Sequence, residues 1–130
     1  MRSKTVQVNR KTRQREALQA ALERVDRPLS VNELLDAAGK RIDGLGIATV
    51  YRNVRSLLED GWIVPVEIPG EPTRYERAGK AHHHHFQCER CDRVFDLAGC
   101  FDNLRKLAPP KFRVKEHALT LYGLCAACAR

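Results

Sequence analysis

The sequence predicts an α+β fold of two units, and three observations lead to that prediction. Apolar residues recur at helical spacing through most of the first 80 residues. Beyond them, β-branched and aromatic residues alternate with polar ones, as in strands. Two CxxC pairs lie in this second stretch. We therefore expect a mainly helical unit over residues 1–80 and a small α+β unit over residues 81–130.

Composition and charge narrow the class of protein. The chain has 130 residues, of which 43% are hydrophobic and 30% charged, an ordinary globular composition. It contains no run of about 18 apolar residues and no apolar signal-peptide core, which favours a cytoplasmic protein without membrane contact. The net charge is +7, and residues 1–15 hold six basic side chains and no acid. This segment is either a solvated tail or an arm that contacts phosphates.

The first two helices are predicted from periodicity and end signals. Residues 12–25 place their apolar side chains on one helical face. The next helix follows Ser30, a suitable N-cap that can form a capping box with Glu33. Gly39 is its expected end.

The third helix is predicted over residues 47–60, before Gly61. Its helical wheel gives an apolar stripe of Ile47, Val50, Val54, Leu57 and Leu58, and also places Tyr51 on that stripe. The opposite face carries Thr49, Arg52, Asn53 and Ser56. Arginine and asparagine are residue types that can reach base edges in the major groove of DNA.

Two short strand-like runs follow, "WIVPVEI" and "RYER", and "PGEPT" between them favours a turn. Three helices and then a β-hairpin is the order of a winged helix-turn-helix, a DNA-binding fold. With the basic N-terminal segment, this order makes double-stranded DNA the expected partner. The alternative is a charged helix face that is simply solvated.

The cysteines predict a structural metal site. Four of the five form two CxxC pairs, Cys88 with Cys91 and Cys125 with Cys128. Paired CxxC motifs in a cytosolic chain indicate tetrahedral Zn²⁺ ligation rather than disulfides, with two redox-active pairs as the alternative. Cys100 is left over and is expected to be an ordinary half-buried thiol.

The strand-like stretches of the second unit are "HHFQC", "DRVFDLA" and "FRVKEHALTLYGLC", and "CFDNLRKLA" is a short helical segment between them. Strand edges in so small a unit could pair with a second copy, so we expect a dimerisation domain.

Residues 82–85 are four consecutive histidines. Alternate side chains of a strand share a face, so His83 and His85 point one way and His82 and His84 the other. Two imidazoles on one face can bind one divalent ion, and the run therefore has the geometry for two sites. Exposed histidines without a metal are the alternative.

Six segments match one known family in chain order. They are "TRQR" at 12–15, "LSVNEL" at 29–34, "GIATVYRNVRSLLEDG" at 46–61, "RYE" at 74–76, "HHHHFQC" at 82–88 and "LTLYGLCAAC" at 119–128. Together they resemble the ferric uptake regulator family of bacterial metal-dependent repressors, from about residue 10 to the C-terminus. The resemblance implies a homodimeric repressor of metal uptake or homeostasis genes that binds an inverted-repeat operator. It also implies DNA contacts by the third helix and the basic arm, for which the candidates are Arg13, Thr49, Tyr51, Arg52 and Asn53.

The resemblance also assigns the histidines. His83 and His85 resemble ligands of a regulatory site between the two domains, joined by Glu76. A further ligand must complete that site, because Pro28 and Leu29 stand where many family members have a histidine. Our candidate is Asp96, with Glu67 or the Cys100 thiolate as alternatives.

His82, His84 and His117 resemble the ligands of a second metal site. The acidic ligand of that site in the family would fall at Asn103, and the neighbouring Asp102 is our candidate to replace it.

The metal that is sensed stays open on ligand type alone. Zinc sensors of the family also tend to lack the histidine near residue 28, which favours Zn²⁺ over Fe²⁺ or Mn²⁺. Many zinc sensors, however, have a cysteine ahead of the histidine run, where this chain has Ala78 and Ala81. Alternatives are an iron- or peroxide-responsive member of the same family and a zinc-stapled interaction module without specific DNA binding. An enzyme is not expected, because the four-cysteine set leaves no open coordination position and no small-molecule substrate is indicated.

Overall fold

The computed structural model describes residues 2–100 and 102–130, with side chains for residues 10–100 and 103–130. Its elements are α1 (Arg2–Val25), β1 (Leu29–Ser30), α2 (Val31–Gly39), α3 (Ile47–Glu59), β2 (Ile63–Val66), β3 (Arg74–Arg77), β4 (His83–Cys88), β5 (Val94–Ala98), a 3₁₀ helix (Asp102–Leu107) and β6 (Thr120–Gly123). The chain divides into two compact units, a first unit that ends at Gly79 and a second unit that begins at Lys80. Within the described residues, no helix is long and apolar enough to cross a membrane.

The first unit is built around one apolar core that the three helices share. Most of its buried side chains come from helical positions that repeat every three or four residues, as expected for amphipathic helices. The core consists of Ala17, Leu18, Ala21, Leu22, Leu29, Val31, Leu34, Ala38, Val50, Val54, Leu57 and Ile63. Trp62 and Tyr75 pack against it from the edge.

The ends of α2 and α3 form as the sequence predicts. The Ser30 hydroxyl accepts from the Glu33 amide at 3.2 Å, and the Glu33 carboxylate accepts from the Ser30 amide at 3.2 Å, so the capping box is confirmed. Gly61 ends α3 with a positive φ of 71°, which lets the Trp62 amide donate to the Leu57 carbonyl at 2.9 Å.

Two expectations about the helices are wrong. Helix α1 begins at Arg2 instead of residue 12, because the apolar period marks only the part of a helix that packs on a core. The side chains of residues 2–9 lie outside the described part of the structure. On α3, Ile47 is 41% and Tyr51 58% exposed. They form an i, i+4 row beside the buried row of Val50, Val54 and Leu57, so the predicted stripe was too wide.

The hairpin of the first unit joins a three-stranded antiparallel sheet in the order β1–β3–β2. Pro65 pairs with Tyr75 across the hairpin, and Leu29 of β1 pairs with the other side of Tyr75. Strand β1 has only two residues, too short for an alternating pattern, and the sequence did not predict it. Three helices and this sheet form the predicted winged helix-turn-helix.

The second unit holds a three-stranded sheet in the order β5–β4–β6. Strand β4 pairs antiparallel with β5 and parallel with β6, and therefore lies in the middle. The strand predicted over residues 112–125 is wrong in length, since only Thr120–Gly123 is a strand. These four residues pair with His85–Cys88 of β4. The rest of the predicted stretch also alternates apolar and polar residues, but within the described part of the chain it has no neighbouring strand to pair with and therefore does not form a strand.

Candidate functional site

The four cysteines of the CxxC pairs converge at one end of the second sheet. Cys88 ends β4, and the parallel pairing of β4 with β6 brings the turn that holds Cys125 and Cys128 beside it. The ligand atoms of all four lie within 4.8 Å of one another. The Cys91 and Cys125 Sγ atoms are 3.8 Å apart, which is the edge of a tetrahedron with Zn–S bonds of about 2.3 Å. The donor set therefore fits a zinc ion.

Hydrogen bonds prepare Cys88 to act as a thiolate. Its Sγ atom accepts from the Cys91 amide at 3.5 Å and from the Cys125 amide at 3.4 Å. These backbone donors lower the pKa of Cys88 to about 6, against the opposing effect of burial. The neighbouring Cys125 thiol and burial raise the pKa of Cys128 to about 12. A cation among the four sulfurs would remove this mutual penalty, because metal binding favours the thiolate form.

The odd-numbered histidines face an acidic side chain on the neighbouring strand. His85 of β4 pairs directly with Asp96 of β5, so both side chains lie on the same face of the sheet. The Nε2 atoms of His83 and His85 are each 3.5 Å from the Asp96 Oδ1 atom. Lys80 donates to the other oxygen, Oδ2, at 2.6 Å. The Lys80 contact leaves Oδ1 directed at the two imidazoles.

The orientation of His83 favours metal binding through Nε2. Its Nδ1 atom is 2.8 Å from the Ala81 carbonyl, which can only accept, so Nδ1 carries the proton. Hydrogen bonding of one ring nitrogen to a carbonyl is the usual way in which the other is oriented as a ligand. His83, His85 and Asp96 thus present two nitrogens and one oxygen to a divalent ion.

The even-numbered histidines form a separate cluster, in which His84 lies on the opposite face of β4 from His83 and His85, and His82 immediately precedes the strand. His82 Nε2 is 3.1 Å from His117 Nε2, and the His84 and His117 rings also lie close, with centroids 5.0 Å apart. Cys100 completes the cluster, with its Sγ atom 2.9 Å from His117 Nε2 and 3.5 Å from His84 Nε2. No disulfide joins any of the five cysteines, all of which are in the described part of the chain.

The place of Cys100 corrects the sequence analysis. It is exposed instead of half-buried, and it lies with the even-numbered histidines, not with His83 and His85. Sequence reasoning missed it because the antiparallel register of β4 and β5 returns the chain beside the histidines, and that register is not written in the local pattern. Asp102 begins the 3₁₀ helix, but its side chain lies outside the described residues.

Two carboxylates considered as ligands belong to the first unit. Glu76 lies on β3, where it pairs with Val64 of β2. Glu67 accepts from the Thr73 hydroxyl at 3.1 Å and is exposed. The hydrogen bond with Thr73 gives Glu67 a local role in the hairpin turn.

The outer face of α3 is polar and accessible. Arg52 is exposed and donates to the Thr49 hydroxyl at 3.0 Å, and Asn53 donates to the Thr49 carbonyl at 2.9 Å. A groove beside this face is lined by Lys11, Thr12, Gln14 and Arg15 of α1 and by Thr49, Arg52, Asn53 and Ser56 of α3. Arg15 joins the two helices, because it donates to Ser56 at 2.9 Å and to Asp60 at 2.8 Å.

Comparison with known proteins places this fold. The model of the ferric uptake regulator family matches residues 7–122. The chain belongs to that family. The ferric uptake regulation protein of Bacillus subtilis is 30% identical over 124 residues, which cover 90% of this chain and 83% of that protein. The zinc uptake regulation protein of Mycobacterium tuberculosis is 28% identical over 125 residues, covering 92% and 94%.

Coverage differs among the members of the family. The match to the ferric uptake regulation protein of Campylobacter jejuni, 30% identical over 87 residues, spans only 55% of that protein and 65% of this chain. Among solved structures, the Helicobacter pylori ferric uptake regulator, described with three functional metal binding sites, has a TM-score of 0.69 at 25% identity. That comparison covers 90% of this chain and 80% of the other.

Proposed function

We propose that the protein is a metal-responsive transcription regulator, a repressor that binds operator DNA and controls genes of metal uptake or homeostasis. One observation carries the proposal. A winged helix-turn-helix unit is followed, six residues after its last strand ends at Arg77, by the first of two histidines that converge with Asp96 on one face of a strand. A candidate DNA-binding unit is thus followed along the chain by a candidate binding site for a divalent ion.

DNA binding is assigned to the outer face of α3 and to the start of α1. Arg52 and Asn53 are the side chains that would read base edges, with Thr49 and Tyr51 beside them. Arg13 is exposed on α1 and would contact phosphates. An operator with inverted-repeat symmetry follows if two copies bind as a dimer.

The second unit would supply the dimer. Apolar side chains are exposed around β6, among them Leu121, Tyr122 and Leu124. The sheet also ends at two edge strands, β5 and β6. Exposed apolar side chains beside open strand edges are typical of a surface that pairs with a second copy. We propose a homodimer formed through this unit.

The regulatory step would be a coupling of metal binding to domain arrangement. We propose that His83, His85 and Asp96 bind the effector together with Glu76, whose place on β3 would link the metal to the wing of the first unit. Such a metal acts only through its differential affinity for the arrangement that fits the operator, because equal affinity for both arrangements shifts nothing.

Zn²⁺ is the proposed structural ion in the four-cysteine site and the favoured effector. Two imidazoles with carboxylates also suit Fe²⁺ and Mn²⁺, so we propose these as the competing effectors. The relatives include both ferric uptake and zinc uptake regulation proteins, which supports a metal effector without choosing between iron and zinc.

Binding rather than catalysis is the proposed activity. The relatives are ferric uptake and zinc uptake regulation proteins. A transcription regulator acts on the chromosome, so we propose that this chain acts in the bacterial cytoplasm. The four-cysteine set has no open position at which a substrate could be activated.

The DNA assignment is tested by comparing two arginine variants on operator and random DNA. We expect Arg52→Ala to weaken operator binding by about 1–3 kcal/mol while barely affecting random DNA, because a base contact discriminates between sequences. Arg13→Ala should weaken both equally and reduce the salt dependence, because it removes a phosphate contact. Equal losses on both DNAs for Arg52→Ala would show that it contacts only phosphate.

The metal assignment is tested by operator binding against free metal concentration. We expect His83→Ala and His85→Ala to abolish the metal response and to leave the four-cysteine zinc in place. His82→Ala and His84→Ala, the matched controls on the other face of β4, should only blunt it. If the even-numbered variants lose more than the odd-numbered ones, the regulatory site is misassigned.

A further inference from the structure

The even-numbered cluster has the composition and spacing of a complete metal site. Its four ligand atoms, three imidazole nitrogens and the Cys100 sulfur, lie within 4.8 Å of one another. A tetrahedral zinc with Zn–N bonds of about 2.0 Å and a Zn–S bond of about 2.3 Å separates its nitrogens by roughly 3.3 Å and its nitrogen and sulfur by roughly 3.5 Å. The His82–His117 separation of 3.1 Å and the His84–Cys100 separation of 3.5 Å are close to these values. The Cys100–His117 separation of 2.9 Å is shorter, so an ion would move these two side chains slightly apart.

The cluster is anchored on one side and open on the other. His84 is held in the middle strand of the sheet and is only 4% exposed. His82 and Cys100 are exposed, and His117 is partly exposed. An ion could therefore enter from solvent without any rearrangement of the sheet. The site has the accessibility of an exchangeable metal site rather than of a buried structural one.

The thiolate separates this cluster chemically from the one on the other face of β4. His83 and His85 face the oxygen of Asp96, whereas His82 and His84 face the sulfur of Cys100. Thiolate ligands favour Zn²⁺ and related soft or borderline ions, whereas carboxylates also suit Mn²⁺. Strand β4 and the residue before it thus present two imidazole pairs, each with a different third ligand.

The family resemblance already implies metal ligation by His82, His84 and His117. We propose that Cys100 supplies the fourth ligand of this site, a thiolate in place of the carboxylate, and that this exchange makes the site select Zn²⁺ over Mn²⁺. The site distinguishes zinc from manganese, which the oxygen-containing set of His83, His85 and Asp96 does not. The proposal rests on the proposed function only for its meaning in regulation, since the metal chemistry stands without DNA.

The experiment uses the full chain with zinc already in the four-cysteine site and Co²⁺ as a spectroscopic probe of the remaining sites. Cobalt bound to one thiolate gives a sulfur-to-metal charge-transfer band in the near ultraviolet, and nitrogen and oxygen ligands do not. We expect the wild type to develop this band and Cys100→Ser to lose it. His83→Ala, the matched control on the other face, should keep it.

The affinity of the site for zinc and its preference for zinc over manganese give a second measurement that does not depend on the charge-transfer band. Cys100→Ser should lower zinc affinity at this site by more than the roughly 10- to 100-fold that loss of an outer-shell partner costs. Cys100→Asp should bind metal again, without the band and with a smaller preference for Zn²⁺ over Mn²⁺ in competition titrations. His117→Gln should weaken binding while keeping Cys100, which guards against a folding defect peculiar to position 100.

Three results would overturn the proposal. One is a wild type without the band, and another is a band that persists in Cys100→Ser. The third is an Asp102→Asn variant that loses as much zinc as Cys100→Ser, since Asp102 would then be the fourth ligand. Because each result is read from metal binding alone, failure of operator binding would refute the proposed function and leave this site standing.

Discussion

The two units differ in what holds them together. The first unit buries a shared core of aliphatic side chains from three helices and the sheet. In the described residues of the second unit, Cys88 and Val94 are the only buried hydrophobic residues, and His84 and Gln87 are buried polar ones. Very small units rarely bury enough apolar surface to be stable alone and then depend on metals or partners. We therefore propose that a zinc ion bound by the four cysteines would stabilise the second unit as the aliphatic core stabilises the first.

The largest expected effect is the selective loss of the second unit when its zinc site is broken. Cys91→Ser removes one of four thiolates, and structural zinc contributes an apparent 10–16 kcal/mol, roughly, in small zinc domains. We expect amide protection to collapse over His83–Cys88 and Val94–Ala98, while Ile47–Glu59 keeps its protection. Leu107→Ala is the control, because Leu107 is an exposed side chain of the second unit that belongs to none of its metal-ligand clusters. Uniform protection in Cys91→Ser would mean that packing alone maintains the second sheet.

A cavity in the first core should have the opposite selectivity. Leu34 is fully buried, and Leu→Ala at such positions costs about 2–5 kcal/mol. We expect Leu34→Ala to lower the urea midpoint of unfolding followed by fluorescence of Trp62, the single tryptophan, which packs on this core. Zinc content should not change. Leu107→Ala, at a side chain that is 81% exposed, is the matched control and should be nearly silent. Loss of zinc in Leu34→Ala would contradict the independence of the two units.

The smallest expected effect is on the stability of the first unit, at the N-cap of α2. Ser30→Ala removes the oxygen that accepts from the Glu33 amide and should cost about 0.5–2 kcal/mol. The same tryptophan signal measures it. Ser30→Thr keeps a capping oxygen and should recover most of the loss. If both variants are equally destabilised, the lost stability comes from packing at residue 30 and not from the cap.

Local signals predicted the first unit well. The capping box at Ser30 and Glu33, the end of α3 at Gly61 and the strand over 74–77 each depend on residues within a few positions of one another. The faces of α3 were harder, because a helical wheel gives the direction of a side chain but not how far the neighbouring helix extends. Tyr51 was placed on the buried stripe for that reason and is exposed.

The second unit depends on pairings between distant residues. Strand alternation separates the four histidines into two pairs, since it follows from the backbone alone. The ligand that faces each pair is set by register, and His85 opposite Asp96 is one consequence of it. Cys100 could not be placed without knowing how β5 returns along β4. The parallel partner β6 was also predicted too long, because its length is fixed by β4.

The parallel pairing of β4 with β6 has a consequence for the order of folding. Antiparallel β4 and β5 are joined by a short turn, whereas β6 can pair only after the chain has crossed from Ala98 to Thr120. Closing a long loop costs chain entropy before any pairing rewards it, which slows folding. Cys91, in the turn before β5, and Cys125, just after β6, are 34 positions apart and flank this crossover together with its two strands. An ion held by both pairs would tether these flanking segments, so the rate at which β6 docks should rise with the supply of zinc during refolding.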